Sequence, residues 1–176
     1  MVLTLHIMRH AKSDWSAHGL SDKQRLLNER GLHAASQMGG WMRRHQIKPD
    51  IILCSSAIRT QQTLQGLITG GLAIDRKVIL DDLYLASTRT ATGLINQHGS
   101  AHKSLMLIGH NPMCHELSAG IAIENTKGCD PLLLSKISNS FPTGALASIE
   151  ITANIWTNWD ANSGRLKRFM RPKDIV

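Results

Sequence analysis

Long apolar runs are missing from this sequence. No stretch approaches the ~20 residues that span a bilayer as a helix, so no helical membrane segment is expected. No cationic segment or small-residue cleavage signature surrounds the first apolar run, so no signal peptide is indicated and a cytoplasmic protein is expected. Cysteine is scarce: Cys54, Cys114 and Cys129 form no Cys-x-x-Cys pair, which excludes a disulfide framework and fits a reducing compartment. Aromatic residues make up 4% of the chain, too few to build stacking platforms for single-stranded nucleic acid. There is no Walker Gly-Lys-Ser/Thr segment and no Gly-x-Gly-x-x-Gly, so no nucleotide cofactor is implied. Nine histidines raise the question of metal, but their spacing answers against it. His110 and His115 are five apart rather than at the i, i+4 spacing of a zincin, and no Cys/His cluster has zinc-finger spacing. No metal site is expected.

What remains is an ordinary globular composition, 42% hydrophobic and 19% charged over 176 residues. One domain burying roughly 70% of its unfolded surface is expected across residues 1–176. The formal net charge of +7 favours acidic or phosphorylated partners. The densest basic run is Arg165, Lys167, Arg168, Arg171 and Lys173. It reads as a solvated tail rather than a nucleic-acid patch, since Phe169 is the only aromatic within it.

The first sixteen residues organise the rest. Val2, Leu3, Leu5, Ile7 and Met8 form an apolar strand ending in Arg9-His10 and a polar loop. In an open parallel sheet, ligands bind beyond the carboxyl ends of the strands. An imidazole beside a permanent cation at that position suits holding and attacking a phosphoryl group.

Lys12 to Gln24 is polar and aperiodic, and reads as a loop over the site. Leu32, Ala35, Met38 and Met42 predict a helix over 32–45 with Asn28 as its N-cap, although Gly31 falls in the first turn. Asp50 to Cys54 is a second apolar strand. Ser55 or Ser56 would cap the following helix, whose first turns carry Arg59, Thr60 and Thr63, and Gly70-Gly71 ends it. There the free N–H groups of a helix start favour an anion at Arg59. A short strand within 73–80 leads to Asp81-Asp82 and a helix from Ser87 or Thr88 to His98. Lys103 to Gly109 is the clearest buried strand, running into His110-Asn111-Pro112, where Pro112 can occupy the first helical position. A helix over 113–123 follows. Glu124 to Ser140 reads as irregular, with Gly128 and Pro131. Strands over 144–151 and 165–170, with a turn at 162–164, complete the chain. Strands alternating with helices predict an α/β fold: a three-layer domain with a mostly parallel central sheet and helices on both faces.

Arg9, His10, Arg59 and His110 all fall at or just beyond strand ends, on one edge of one sheet. Two guanidiniums and two imidazoles, with no obvious carboxylate to neutralise them, make an anion site. Arginine forks match phosphate oxygens, and a histidine nucleophile could take the phosphoryl group before water releases it.

Three segments carry a resemblance: Leu5-His-Ile-Met-Arg-His10, Ser55-Ser-Ala-Ile-Arg59-Thr60-Gln61-Gln62-Thr63, and Ile108-Gly-His110-Asn111. Together they resemble the histidine phosphatase (phosphoglycerate mutase-like) superfamily. Leu27-Asn-Glu-Arg-Gly31, the late Phe141-Pro-Thr-Gly-Ala-Leu-Ala-Ser-Ile149 segment and the short chain resemble its SixA-type phosphohistidine phosphatase branch. The resemblance implies that His10 is phosphorylated, that Arg9, Arg59 and His110 bind the phosphoryl group, and that no cofactor is needed. Ala11 stands where the superfamily commonly has glycine. Larger members carry a general acid after the third strand; Asp82 is the nearest match, with Asp81 beside it, and either could instead cap the following turn. The expected substrate is phosphohistidine on a protein, or else a small phosphate ester, and inorganic phosphate or sulfate should fit the site. Lys12, Ser13 and Asn111 are expected to contribute loop contacts.

Four rivals remain, the last a nucleic-acid-binding protein prompted by the net charge alone, which salt-dependent binding surviving His10→Ala would support. Cys54 and Arg59 evoke a thiolate phosphatase, but only four residues separate them where that chemistry uses five. A small-molecule phosphatase or mutase of the same fold would depend on Asp82. A non-catalytic phosphoprotein-binding module would bind phosphate without forming an intermediate.

Overall fold

The alternating apolar segments assemble into one mixed sheet between two helical layers. The computed structural model describes residues 2–16, 19–127 and 129–175. Ala17 and His18 of the expected polar loop, and Gly128, lie outside the described residues. The elements in chain order are β1 (Val2–Arg9), α1 (Glu29–Arg44), β2 (Ile51–Ser55), α2 (Ile58–Thr69), β3 (Lys77–Leu80) and α3 (Thr88–Gly99). They continue with β4 (Ser104–Gly109), α4 (Met113–Glu124), α5 (Pro131–Asn139), β5 (Leu146–Thr152) and β6 (Gly164–Met170). The strand order is β3-β2-β4-β1-β5-β6. The first four are parallel, and β5 runs antiparallel to both β1 and β6.

Side-chain alternation divides the core between the two faces of the sheet. Leu5, Ile7, Leu53, Leu105 and Leu107 point to one face, where Leu94 and Ile95 of α3, Cys114 and Ile121 of α4 and Ile137 of α5 cover them. Met8, Ile52, Cys54, Met106 and Ile108 point to the other, beneath Met38 and Met42 of α1 and Leu64 and Leu67 of α2. Because β1, β2 and β4 are buried on both faces, their sequences are continuous apolar runs. Burying each such side chain contributes about 1.5–3 kcal/mol.

This layering sets the site. The helices that follow β1 and β2 lie on one face, and the helix that follows β4, between them, lies on the other. The carboxyl ends of β1, β4 and β2 therefore flank a crevice of the kind where open α/β sheets bind ligands. Register fixes its depth: Arg9 of β1 pairs with Gly109 of β4, and Cys54 of β2 with Ile108.

Five expectations need correction. The segment over 124–140 is not irregular throughout, because α5 occupies Pro131–Asn139. Pro131 stands in its first turn behind an Asp130 cap that accepts from Leu132 N–H at 2.8 Å, so proline opens a helix here. Neither Ser55 nor Ser56 caps α2; the N-cap is Ala57, without a side-chain bond. Pro112 is the N-cap of α4 rather than its first residue. In α1, Ala35, Met38 and Met42 are buried as expected, but Leu32 is 46% exposed and lies off that face. The basic C-terminal run is not a solvated tail. Most of it is edge strand β6, where Lys167 pairs with Glu150 at 3.3 Å and cationic side chains guard the open edge.

Candidate active site

Gly31 and Asn28 build the loop that follows β1. The Asn28 side chain caps α1 by accepting from Gly31 N–H at 2.9 Å, and Asn28 N–H donates to the Lys12 carbonyl at 3.1 Å. A Cβ on Gly31 would stand 2.1 Å from that carbonyl oxygen. Glycine in a helix start, an oddity in the sequence, is what lets the loop dock. On the far side, Gly144, with φ of +77°, sends its N–H to the carbonyls of both Arg9 and His10. The end of β1 is thus clamped from two directions.

His10 and His110 face each other across the crevice with ring centroids 5.3 Å apart. His10 Nδ1 lies 2.7 Å from the Ala11 carbonyl. A carbonyl only accepts, so Nδ1 carries the proton and the Nε2 lone pair is free. Burial, reinforced by His110, Arg59 and Arg9 and opposed by the Ala11 bond, pushes the His10 pKa down to about 3. Burial and then Arg59 lower His110 to about 4. Both rings are neutral at pH 7. His110 Nδ1 accepts from Arg59 Nη2 at 3.3 Å; guanidinium has only donors, so the His110 proton is on Nε2, donated to Ser55 Oγ at 2.8 Å. Ser55 is a positioning residue for His110.

Arg59 is 2% exposed, a guanidinium at the first turn of α2. Arg9 Nη1 donates to the Phe141 carbonyl at 3.0 Å, and Asn111 Nδ2 donates to the same oxygen at 3.1 Å. Among the described residues, the Nε groups of both arginines and the Asn111 Oδ1 are buried without hydrogen-bond partners. Orphaned N–H donors on two guanidiniums, beside two neutral imidazoles, fit a tetrahedral oxyanion.

One expectation fails here: a carboxylate does neutralise this cluster. Asp22, from a short 3-10 turn over Asp22–Gln24, sets its Oδ2 2.9 Å from Arg59 Nη2. Arg59 Nη1 donates to the Asp22 main-chain oxygen. Asp22 also accepts from Tyr84 OH at 2.6 Å and from Arg25 Nη2 at 2.7 Å. The Tyr84 hydroxyl, then Arg25 and Arg59, hold its carboxyl well below the usual carboxylate range. Tyr84 meets the His110 ring edge-on at 5.6 Å between centroids. Arg25 lies over the exposed ring of Trp15 at 3.6 Å and donates to Ser13 Oγ at 2.8 Å. Asp22 and Tyr84 were not singled out from sequence, and Ser55 was read only as a helix cap and as part of the Arg59 motif. The signal for Asp22 was an acid followed three residues later by Arg25.

Of the expected loop contacts, Ser13 is buried and tied to Arg25, while Lys12 is exposed and lines a neighbouring cavity. Asp81 pairs with Lys23 and accepts from Ser56 Oγ. Asp82 is exposed in the turn Asp81–Leu83, with no hydrogen bond or ion pair among the described residues. Neither acid caps that turn. Since β3 stands three places from β1, strand spacing separates their ends by about 14 Å. Burial pushes the Cys54 thiol up to about 12, and its Sγ donates to the Ser55 carbonyl at 3.4 Å. It is no thiolate nucleophile. Among the described residues no group of three or more His, Cys, Asp or Glu side chains could hold a metal ion, and no helix is long and apolar enough to cross a membrane.

An α/β sheet with paired histidines and paired arginines at the ends of β1, β2 and β4 defines a phosphoglycerate mutase-like fold. Residues 5–85 match the family model of the histidine phosphatase superfamily, branch 1. An uncharacterised protein of Mycobacterium tuberculosis (strain CDC 1551 / Oshkosh) is 33% identical over 166 residues, 94% of this chain and 100% of the relative. The crystal structure of a candidate phosphohistidine phosphatase SixA from Agrobacterium tumefaciens is 30% identical, with a TM-score of 0.77 over 97% of this chain and 98% of that one. A second candidate SixA structure, from Nakamurella multipartitia, shares the fold with a TM-score of 0.81 at 24% identity, covering 98% and 97% of the two chains. The chain belongs to the histidine phosphatase superfamily, in its SixA-type branch.

Proposed function

We propose that this protein hydrolyses phosphohistidine on another protein, through a phosphoryl group carried transiently by His10. The observation that carries the reading is the His10 Nδ1–H bond to the Ala11 carbonyl, which leaves the Nε2 lone pair to attack. Nε2 bonds to phosphorus as the P–N bond of the substrate breaks, and the departing imidazole takes a proton from solvent. Arg9 and Arg59 stabilise charge on the equatorial oxygens, and His110 joins them once the bound phosphoryl anion draws a second proton onto its Nδ1, in place of the bond from Arg59. The retained Nδ1 proton keeps the phosphorylated His10 ring cationic, so it leaves readily when water bonds to phosphorus and phosphate is released.

The acids around the site favour a P–N substrate over an ester. An alkoxide leaving group needs a proton, yet Asp22 is held ionised by three donors. Asp81 is tied to Lys23 and Ser56, and Asp82 is exposed in the turn that follows β3. An imidazole leaving group makes little demand for an acid, so positioning and charge stabilisation suffice.

The test compares kcat/KM for a phosphohistidine protein with that for phosphate monoesters, in wild type and Asp82→Asn. The proposal expects the phosphohistidine substrate to be preferred by orders of magnitude and to be insensitive to Asp82→Asn. Faster ester turnover that collapses in Asp82→Asn would instead make this a small-molecule phosphatase.

A further inference from the structure

We propose that a second oxyanion pocket lies beside the His10 crevice and takes a phosphate or carboxylate group carried by the same substrate. The inference rests on the reading of that crevice as the phosphoryl site. The pocket is a cavity of about 200 Å³ whose walls include Lys12, Arg30, Arg171 and Lys173, with Ser140 and Thr143 adding hydroxyls. Its cations come from three separate places: the loop after β1, the first turn of α1, and the 3-10 turn Pro172–Asp174. The neighbouring carboxylate, Asp174, is bonded to Arg171 at 2.7 and 2.9 Å, with the charges of Lys136 and Lys173 acting on it at longer range. Among the described residues no hydrogen bond or ion pair engages the side chains of Lys12, Arg30 or Lys173. Like charges gathered round a cavity repel one another, and an anion between them relieves that repulsion.

The pocket and the crevice share a wall. Lys12 follows His10 by two residues, so their Cα atoms are within about 7 Å. Pro142 and Thr143 lie between Phe141, whose carbonyl holds Arg9 and Asn111, and Gly144, whose N–H holds the His10 carbonyl. A ligand bearing a second anionic group next to its phosphoryl group could fill both sites together. On a protein substrate, that group is an acidic side chain or a second phosphate near the phosphohistidine.

The test is an amide NMR titration of His10→Ala protein with inorganic phosphate, ionic strength being held constant with chloride. The amides of Lys12, Arg30, Thr143 and Lys173 should shift as one set, with their own Kd, apart from the set formed by Gly109 and His110. Arg30→Gln with Lys173→Gln should abolish the first set and keep the second. A first set that never moves, or moves equally in the double variant, overturns the pocket. The second set reports on the phosphoryl site separately. With His10 restored, the double variant should lose about tenfold or more in kcat/KM, through KM, on an Asp/Glu-rich phosphohistidine peptide, the size of one charge-assisted contact. It should keep wild-type rates on phosphoramidate. Phosphate binding without that loss would overturn the substrate as source and assign the pocket to a free anion.

Discussion

The carboxylate of Asp22 and the guanidinium of Arg59 are held together twice. Oδ2 lies 2.9 Å from Nη2, and the Asp22 main-chain oxygen accepts from Nη1. The fork that should grip a phosphoryl group is occupied by an anion from the chain itself. A phosphoryl group that takes both terminal nitrogens must displace Asp22, and the turn over Asp22–Gln24 with it.

Replacing Asp22 with Asn removes a negative charge next to the anion site while leaving a similar shape. Inorganic phosphate should then bind more tightly. The gain expected from one half-exposed charge is about 1 kcal/mol, or roughly fivefold in the inhibition constant. Competitive inhibition by phosphate, measured at constant ionic strength, checks this. Weaker inhibition would mean that Asp22 chiefly orients Arg59 rather than competing for it.

Acid should destabilise the fold earlier than carboxylate protonation would. Burial, aided by Arg168, lowers His6 to about 4, and His10 and His110 are lowered to about 3 and 4. Unfolded, each titrates near 6.5. Between pH 6.5 and about 4 the unfolded chain therefore binds protons that the folded chain does not, so stability rises with pH through that window and is lost on acidification. Each histidine contributes at most about 1.4 kcal/mol per pH unit. Urea midpoints at pH 7, 6 and 5 should fall steadily, and less steeply in His6→Asn. Over the same range His10 stays neutral, so the rate of phosphoryl uptake should hold down to about pH 5.

Gly31→Ala sets two effects against each other. Alanine gains about 1 kcal/mol of helix propensity. Its Cβ, however, meets the Lys12 carbonyl oxygen at 2.1 Å, and main chain cannot rotate away as a side chain can. Overpacking of that kind costs about 1–3 kcal/mol, so a net loss of stability is expected. Because the displaced carbonyl follows Ala11, whose own carbonyl holds the His10 proton, kcat should fall as well. A variant with raised Tm and unchanged kcat would contradict this account of the loop.

The sheet and the four basic residues at its edge were legible because they obey local rules. Continuous apolar runs such as Leu105 to Ile108 announce doubly buried strands, and the residue after each run marks a strand end. Asp22 was not legible, since its meaning depends on a loop folding back over Arg59, and no periodicity records that. Proline misled at α5: Pro131 reads as a breaker unless Asp130 is recognised as the cap before it. Gly31 reads as a weakness in α1 until the Lys12 carbonyl is seen to need the space. Contacts between distant segments, rather than local propensity, carried what the sequence withheld.

The central claim is that the His10 Nε2 lone pair is the nucleophile, because the Ala11 carbonyl keeps the proton on Nδ1. The most direct measurement traps the phosphorylated protein by rapid alkaline quench and identifies the phosphohistidine isomer by 31P NMR, in wild type and His10→Ala. The account predicts acid-labile, alkali-stable label on Nε2 of His10 and none in His10→Ala. Label on Nδ1, label that survives His10→Ala, or turnover with no trapped phosphohistidine would contradict it.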